Sequence, residues 1–134
     1  MDNCLFCKII RGEIPSFKIY EDEYTYAFLD ISKDCDGHTL VVSKNHHKNI
    51  LDAKEEDLLH IINAVKKISN HYITNCGYDG VNIISNANEA AEQSVMHIHI
   101  HIIPRKTNDG YNVFPTLPGA KLSLEDAFKT HKLI

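Results

Sequence analysis

Six consecutive residues, His97-Ile98-His99-Ile100-His101-Ile102, alternate a titratable ring with an aliphatic side chain through three repeats. On a β-strand successive side chains point to opposite faces, so three imidazoles line one face and three isoleucines the other. Isoleucine favours strands, and the isoleucine face has a core to enter. The histidine face has no comparable structural use, because burying polar rings costs free energy unless each finds a partner. Two chemistries could offset that cost. One is a metal ion. The other is phosphate chemistry with a neutral nitrogen nucleophile, for which an imidazole of pKa about 6.5 is suited near pH 7. A single ion held by all three rings is disfavoured: neighbours on a strand face stand about 6.5–7 Å apart, too far for bonds near ~2.1 Å.

A second chemical signal is the C-x-x-C pair Cys4 and Cys7. In a reducing compartment such a pair points to a metal or a redox site. A thioredoxin-like arrangement would need a strand before it, and Cys4 lies too close to the start for that. One C-x-x-C is half a metal site, so its other ligands must come from elsewhere. Cys35 and Cys76 have no partner pattern and are expected to be ordinary packed thiols.

Positioning these groups requires a scaffold, and hydrophobic spacing outlines one. Cys4 to Arg11 reads as a short helical turn, stopped by Gly12 and Pro15. Phe17–Tyr20 and Tyr24–Leu29 read as two strands of a hairpin turned by Asp22 and Glu23. Asp36-Gly37 is a turn before a strand over His38–Ser43, and the polar, histidine-rich stretch 45–51 is a loop. Asp52-Ala53-Lys54-Glu55 has the D-x-x-E spacing of a helix start, with Asp52 as N-cap. Leu58, Ile61, Ile62, Val65, Ile68 and Tyr72 then form one apolar stripe to about Thr74, with Gly77 as the stop. Val81–Ser85 is a strand, 86–94 a polar loop, and Val95–Ile103 the histidine strand, closed by Pro104. The remainder is turn-rich at Asp109-Gly110, Pro115 and Pro118-Gly119, with a short helix over Ser123–Phe128. Strands on both sides of one long helix predict an antiparallel α+β fold.

The 134 residues are expected to form a single domain, 1–134, with the motif-bearing region at 4–105 and a C-terminal tail at 106–134. A net charge of −4 with no basic arm argues against nucleic acid as a partner. The apolar runs are too short for a membrane span, and Met1-Asp2-Asn3-Cys4 opens no signal-peptide core. A cytoplasmic or equivalent reducing setting is expected.

The segment from Gln93 to Arg105 contains H-φ-H-φ-H-φ-φ, where φ is apolar, and resembles the signature of the histidine triad (HIT) family. Cys4-Leu5-Phe6-Cys7-Lys8-Ile9-Ile10, Ala27-Phe28-Leu29-Asp30-Ile31 and Gly37-His38-Thr39-Leu40-Val41-Val42 resemble the N-terminal half of that family, in order. The resemblance is closest to the Hint-like nucleoside phosphoramidase branch. It implies a HIT-like fold: a five-stranded antiparallel sheet with one long helix and a short N-terminal helix, dimerising with a second copy. The implied activity is hydrolysis of nucleoside phosphoramidates or related conjugates at the α-phosphate, through a covalent nucleotidyl-histidine.

By position in that motif, His99 is the expected nucleophile and His101 a contact to the phosphate oxygens. His38 is expected to support the His99 imidazole, and Ser94 to reach the leaving group. Asp30 matches the residue that holds the ribose hydroxyls. Phe6, Ile9, Phe28 and Ile31 are expected to wall the base, with Asn86 and Gln93 also on the nucleotide. Like the galactose phosphate uridylyltransferases, such proteins with an N-terminal C-x-x-C imply a structural zinc, here on Cys4, Cys7, His46 and His97, with His47 as an alternative to His46. One departure stands out: Ala90-Ala91-Glu92 replaces the usual glycine before Gln93-Ser94, bringing a carboxylate near an anionic substrate. A dinucleoside polyphosphate hydrolase or nucleotidyl transferase is the second reading, disfavoured by a histidine at 101. A nucleotide-binding dimeric sensor or scaffold with weak catalysis is the third.

Overall fold

Polar turns divide the β-branched and aromatic runs into five short strands, and all five join one sheet. The computed structural model describes residues 3–114 and 116–134; the expectations attached to Met1, Asp2 and Pro115 lie outside the described residues. In chain order the elements are α1 (Leu5–Ile10), β1 (Lys18–Glu21), β2 (Thr25–Leu29), β3 (Thr39–Ser43), α2 (Glu55–Cys76), β4 (Gly80–Ile84), β5 (His99–Arg105) and α3 (Leu124–His131). A single 3₁₀ turn, Glu89–Ala91, lies between β4 and β5. The sheet order is β1-β2-β3-β5-β4, with every neighbour antiparallel. This is the expected five-stranded α+β architecture.

Alternation along the strands separates two cores. Ala27, Val41, Ile98, Ile100 and Ile102 pack on one side against Ile61, Ala64, Val65, Ile68 and Tyr72 of α2. Each fully buried isoleucine contributes about 1.5–3 kcal/mol relative to an exposed one. On the other side Tyr26, Phe28, Leu40 and Val42 pack against Phe6 and Ile9 of α1. Registers Val42↔His99 and Leu40↔His101 put both histidines on this second side. The isoleucine core therefore anchors the strand, and its other face presents the rings under α1.

Five local expectations change. Helix α2 starts at Glu55 with Lys54 at its N-cap and no side-chain cap bond. Asp52 instead accepts from the backbone N–H groups of Lys48 and Asn49, at 3.0 and 2.9 Å, and so folds the preceding loop. Ile62 leaves the stripe and is exposed, because a 100° step past Ile61 carries it off the sheet-facing side. Strand β5 runs through Pro104 to Arg105 and begins only at His99. Strand β3 ends opposite Ile102, so the missing N–H of Pro104 removes no bond from that side. Gly37 at φ +77° fits against this proline, where an added Cβ would meet its Cγ at 3.0 Å. Finally, Cys76 is exposed rather than packed, and α3 extends past Phe128 to His131, capped by Ser123.

Candidate active site and the adjoining cysteine–histidine cluster

A cavity of about 250 Å³ opens between α1, the end of β2 and β5. Phe6 and Ile9 reach it from α1, and Phe28, Asp30 and Ile31 from the end of β2. Ser94 comes from the loop before β5, and His99 and His101 from the strand itself. Eight of the expected nucleotide and catalytic residues thus share one concave surface. Phe6 stands edge-on to both Phe28 and His99, at ring-centroid distances of 5.5 and 5.0 Å.

His99 is buried, and its Nδ1–H donates to its neighbour's carbonyl, His97 O, at 2.7 Å. The lone pair therefore resides on Nε2, the nitrogen a nucleophile would use. Burial pushes the pKa of His99 down; its bond to the carbonyl and the charge of Asp30 oppose the shift. The ring is held neutral.

His101 lies beside it, with ring centroids 5.1 Å apart. Burial first, then the nearby His99 and His38, push its pKa down to about 4. Its Nδ1 is 2.9 Å from His38 Nε2, and His38 Nδ1 is 2.7 Å from Asp34 Oδ1. A carboxylate only accepts, so His38 donates to Asp34 and receives the proton of His101 on its other nitrogen. Burial is the largest single influence and raises the pKa of Asp34, but the hydrogen bond and charge of His38 with the bonds from Ser32 and the Cys35 N–H together outweigh it, and the net shift is downward. The expectation that His38 supports His99 is corrected here: its partner is His101. The register explains this. Leu40 faces His101, and His38 precedes Leu40 by two residues on the same face, which leaves His99 a row further away.

Asp30 accepts from the Ser32 N–H through Oδ1, at 2.9 Å, and so also closes the turn after β2. Its Oδ2 is 3.7 Å from His38. Gln93 does not line the cavity. Its amide donates to Lys48 O and Val95 O and accepts from Asn88 N and Asn49 Nδ2, which uses all four of its bonds. It holds the loop that presents Ser94. Asn86, half-buried at the end of β4, also lies off the cavity wall. Glu92 takes the left-handed conformation at φ 68°, a region costing roughly 1–2 kcal/mol for a residue with a Cβ.

Behind the cavity, four donor atoms converge. Cys4 Sγ is 3.3 Å from His97 Nδ1, Cys7 Sγ is 3.3 Å from His46 Nδ1, and the two Nδ1 atoms are 3.2 Å apart. All four ligand atoms lie within 4.8 Å of one another. Tetrahedral zinc bonds of about 2.0–2.3 Å imply donor separations of roughly 3.3–3.8 Å, so the set fits such an ion. His97 Nε2–H donates to Ser43 O at 2.7 Å, which leaves Nδ1 bare and aimed at the cysteines. Burial pushes Cys7 up to about 11 and His97 down to about 4, so their surroundings favour the uncharged form of both. His47 is elsewhere: its Nε2 pairs with buried Asp57 at 2.7 Å, so His46 is the histidine in the cluster.

Asp34, Asp57 and the Ser43 carbonyl escaped the sequence reading. No local pattern marks them, because each acts through a partner brought close only by folding.

These features coincide with one family. Residues 11–108 match the model of the HIT domain, and the chain belongs to the HIT domain family. Among its relatives is an adenosine 5'-monophosphoramidase of Saccharomyces cerevisiae, 34% identical over 129 residues, 96% of this chain and 78% of that protein. A crystal structure of a HIT family member from Bacillus subtilis aligns with TM-score 0.83 and 42% identity, covering 96% of this chain and 92% of the other. A zinc-bound histidine triad protein from Mycobacterium smegmatis aligns with TM-score 0.78 and 35% identity, covering 84% and 81%.

Proposed function

We propose that the protein is a hydrolase that releases a nucleoside monophosphate from a nucleoside phosphoramidate or related conjugate. The observation that carries this reading is the fixed tautomer of His99. With Nδ1–H committed to the His97 carbonyl, Nε2 is a neutral nucleophile at the wall of a cavity sized for a small ligand. In the first step Nε2 bonds to the α-phosphorus as the P–N bond to the leaving amine breaks. The leaving nitrogen takes a proton through the Ser94 hydroxyl, which is replenished from solvent, and departs as the neutral amine. In the second step water attacks the same phosphorus, the P–Nε2 bond breaks, the water sheds one proton to the cavity wall and on to solvent, and His99 returns to its neutral form. His101, which gives its Nδ1–H to His38 and is oriented through His38 and Asp34, keeps a bare Nε2, and this nitrogen accepts that proton. Asp30 Oδ2 takes the ribose hydroxyls, while Phe6, Ile9, Phe28 and Ile31 enclose the base. The relationship to a named adenosine 5'-monophosphoramidase supports this substrate class.

Cys4, Cys7, His46 and His97 would hold zinc as a closed structural site that ties α1 and the 45–51 loop to the approach of β5. When bound, the ion supplies charge for the two thiolates and no open coordination position. The zinc-bound relative supports this reading. A homodimer fits edge strand β4, which carries the exposed Ile83, and the exposed Leu59 and Ile62 of α2. A cytoplasmic setting suits four free cysteines. No helix among the described residues is long and apolar enough to cross a membrane.

The deciding assay is release of AMP from adenosine 5'-phosphoramidate by wild type and His99→Ala, with AMP binding measured in parallel. Lost release with retained binding is expected; undiminished release by the variant would exclude His99 as nucleophile.

A further inference from the structure

One polar contact in the cavity is used by neither the phosphate nor the ribose chemistry. Ser16, in the connection from α1 to β1, lines the cavity next to Ile14 and Pro15. Its Oγ lies 2.9 Å from the hydroxyl of Tyr26. Tyr26 is buried and belongs to the apolar cluster of Phe6, Ile9 and Phe28. Hydroxyls placed there lose water and need partners.

The sheet register locates this pair relative to the reacting centre. Tyr26 pairs with Val42, and Val42 pairs with His99. Tyr26 is therefore two strands from the nucleophile, about 10 Å at ordinary strand spacing. With phosphorus at His99 and ribose at Asp30, the hydroxyl pair falls at the base. The other polar side chains that line the cavity, Asp30, Ser94, His99 and His101, are those assigned above to the ribose, the leaving group and the phosphate chemistry.

The direction of the bond decides what Ser16 can offer. A phenol is a better donor than an alcohol, which favours Tyr26 donating to Ser16 Oγ. That leaves Ser16 one O–H and one lone pair for a ligand. We propose that Ser16, oriented by Tyr26, reads the C6 edge of a purine base. Its lone pair accepts from the 6-amino group of adenine, and its O–H donates to the 6-oxo group of guanine. A purine without a 6-substituent satisfies neither. This specificity rests on the nucleotide-site reading given above.

The test is calorimetric titration of the intact protein with AMP, GMP and purine riboside 5'-monophosphate. One neutral hydrogen bond predicts that wild type binds AMP and GMP about 2- to 10-fold more tightly than the 6-unsubstituted nucleotide. Ser16→Ala should bring the three affinities together, Ser16→Thr should keep the preference, and Tyr26→Phe should weaken it. A purely structural role for Ser16 would shift all three affinities equally. An unchanged ratio in Ser16→Ala, or no preference in wild type, would overturn the proposal. Failure of wild type to bind any of the three would overturn the nucleotide-site reading and this specificity with it. A preference that vanishes in Ser16→Ala, in a protein that releases no AMP from adenosine 5'-phosphoramidate, would sustain base reading and overturn only the hydrolase.

Discussion

His97 and His99 are two residues apart, both buried, and oriented in opposite directions by a single carbonyl each. His97 donates through Nε2 to Ser43 O and turns Nδ1 toward two cysteines. His99 donates through Nδ1 to His97 O and leaves Nε2 for the cavity. Burial lowers both pKa values, so desolvation does not distinguish them. The position of the backbone acceptor does: it chooses which nitrogen keeps the lone pair, and so whether a ring faces the cysteines, as the proposed zinc site requires, or the cavity, as the proposed nucleophile requires. The two sites also meet, because the carbonyl that orients His99 belongs to the histidine in the cysteine–histidine cluster.

The largest effect should come from the nucleophile. His99→Ala is expected to lower phosphoramidate turnover by at least about 10³-fold, with metal content by mass spectrometry unchanged. Coordinate loss of metal in that variant would break the separation between the two ends. Next is the metal end: Cys4→Ser, or chelation of the intact protein, should lower the melting temperature by about 8 °C or more. Nucleotide binding should weaken as well, since Phe6 in α1 touches both histidines. A melting curve insensitive to chelator would remove zinc from the structural account.

Protonation gives a third, intermediate effect. His101 is held near a pKa of about 4 in the folded protein and returns to about 6.5 when unfolded. Above pH ~6.5 both states carry it neutral, and no penalty arises. As pH falls through this window the unfolded chain binds more protons, so stability declines and the loss is complete below the folded value. Thermal melts from pH 7 to pH 4 should show this decline. The acid limb of activity should lie below the range of an ordinary histidine, because His99 must be neutral and burial depresses its pKa. An activity limb at or above pH 6.5 would show that His99 is not desolvated.

The smallest effect should fall on Asp34, which reaches the site only through His38 and His101 and is itself mostly exposed. Asp34→Asn should reduce kcat by about 2- to 5-fold, with little change in KM, since a neutral acceptor still orients His38 but stabilises positive charge less. Steady-state kinetics decides this. A loss as large as that of His101→Ala would mean that Asp34 fixes the whole relay.

How much of this was legible beforehand depends on the kind of contact. The His-Ile alternation carried the strand, its two faces and the isoleucine core, because side-chain direction follows backbone period without help from distant residues. The helix stripe carried α2 for the same reason, although Ile62 turned outward and Asp52 went to the loop. Among the site residues, those exposed to the cavity by that periodicity fell where expected, as with His99, His101 and Phe28. Gln93 did not, since a side chain with four bonds to the loop around it gives no local sign of being occupied. The partner of His38 and the choice of His46 over His47 were likewise not readable, because both depend on strand register and on a buried aspartate in α2.

The sequence by itself determined which chemistries were present: neutral rings in a row, a cysteine pair, and an aliphatic face to hold them. Only the tertiary structure decided which nitrogen of each ring was free. A ring nitrogen is assigned by the acceptor placed beside the other one, and those acceptors, Ser43 O, His97 O and His38, lie on the bend before β5 or at the ends of β3. Their distances follow from strand pairing and from how the chain turns into β5, which no single segment encodes.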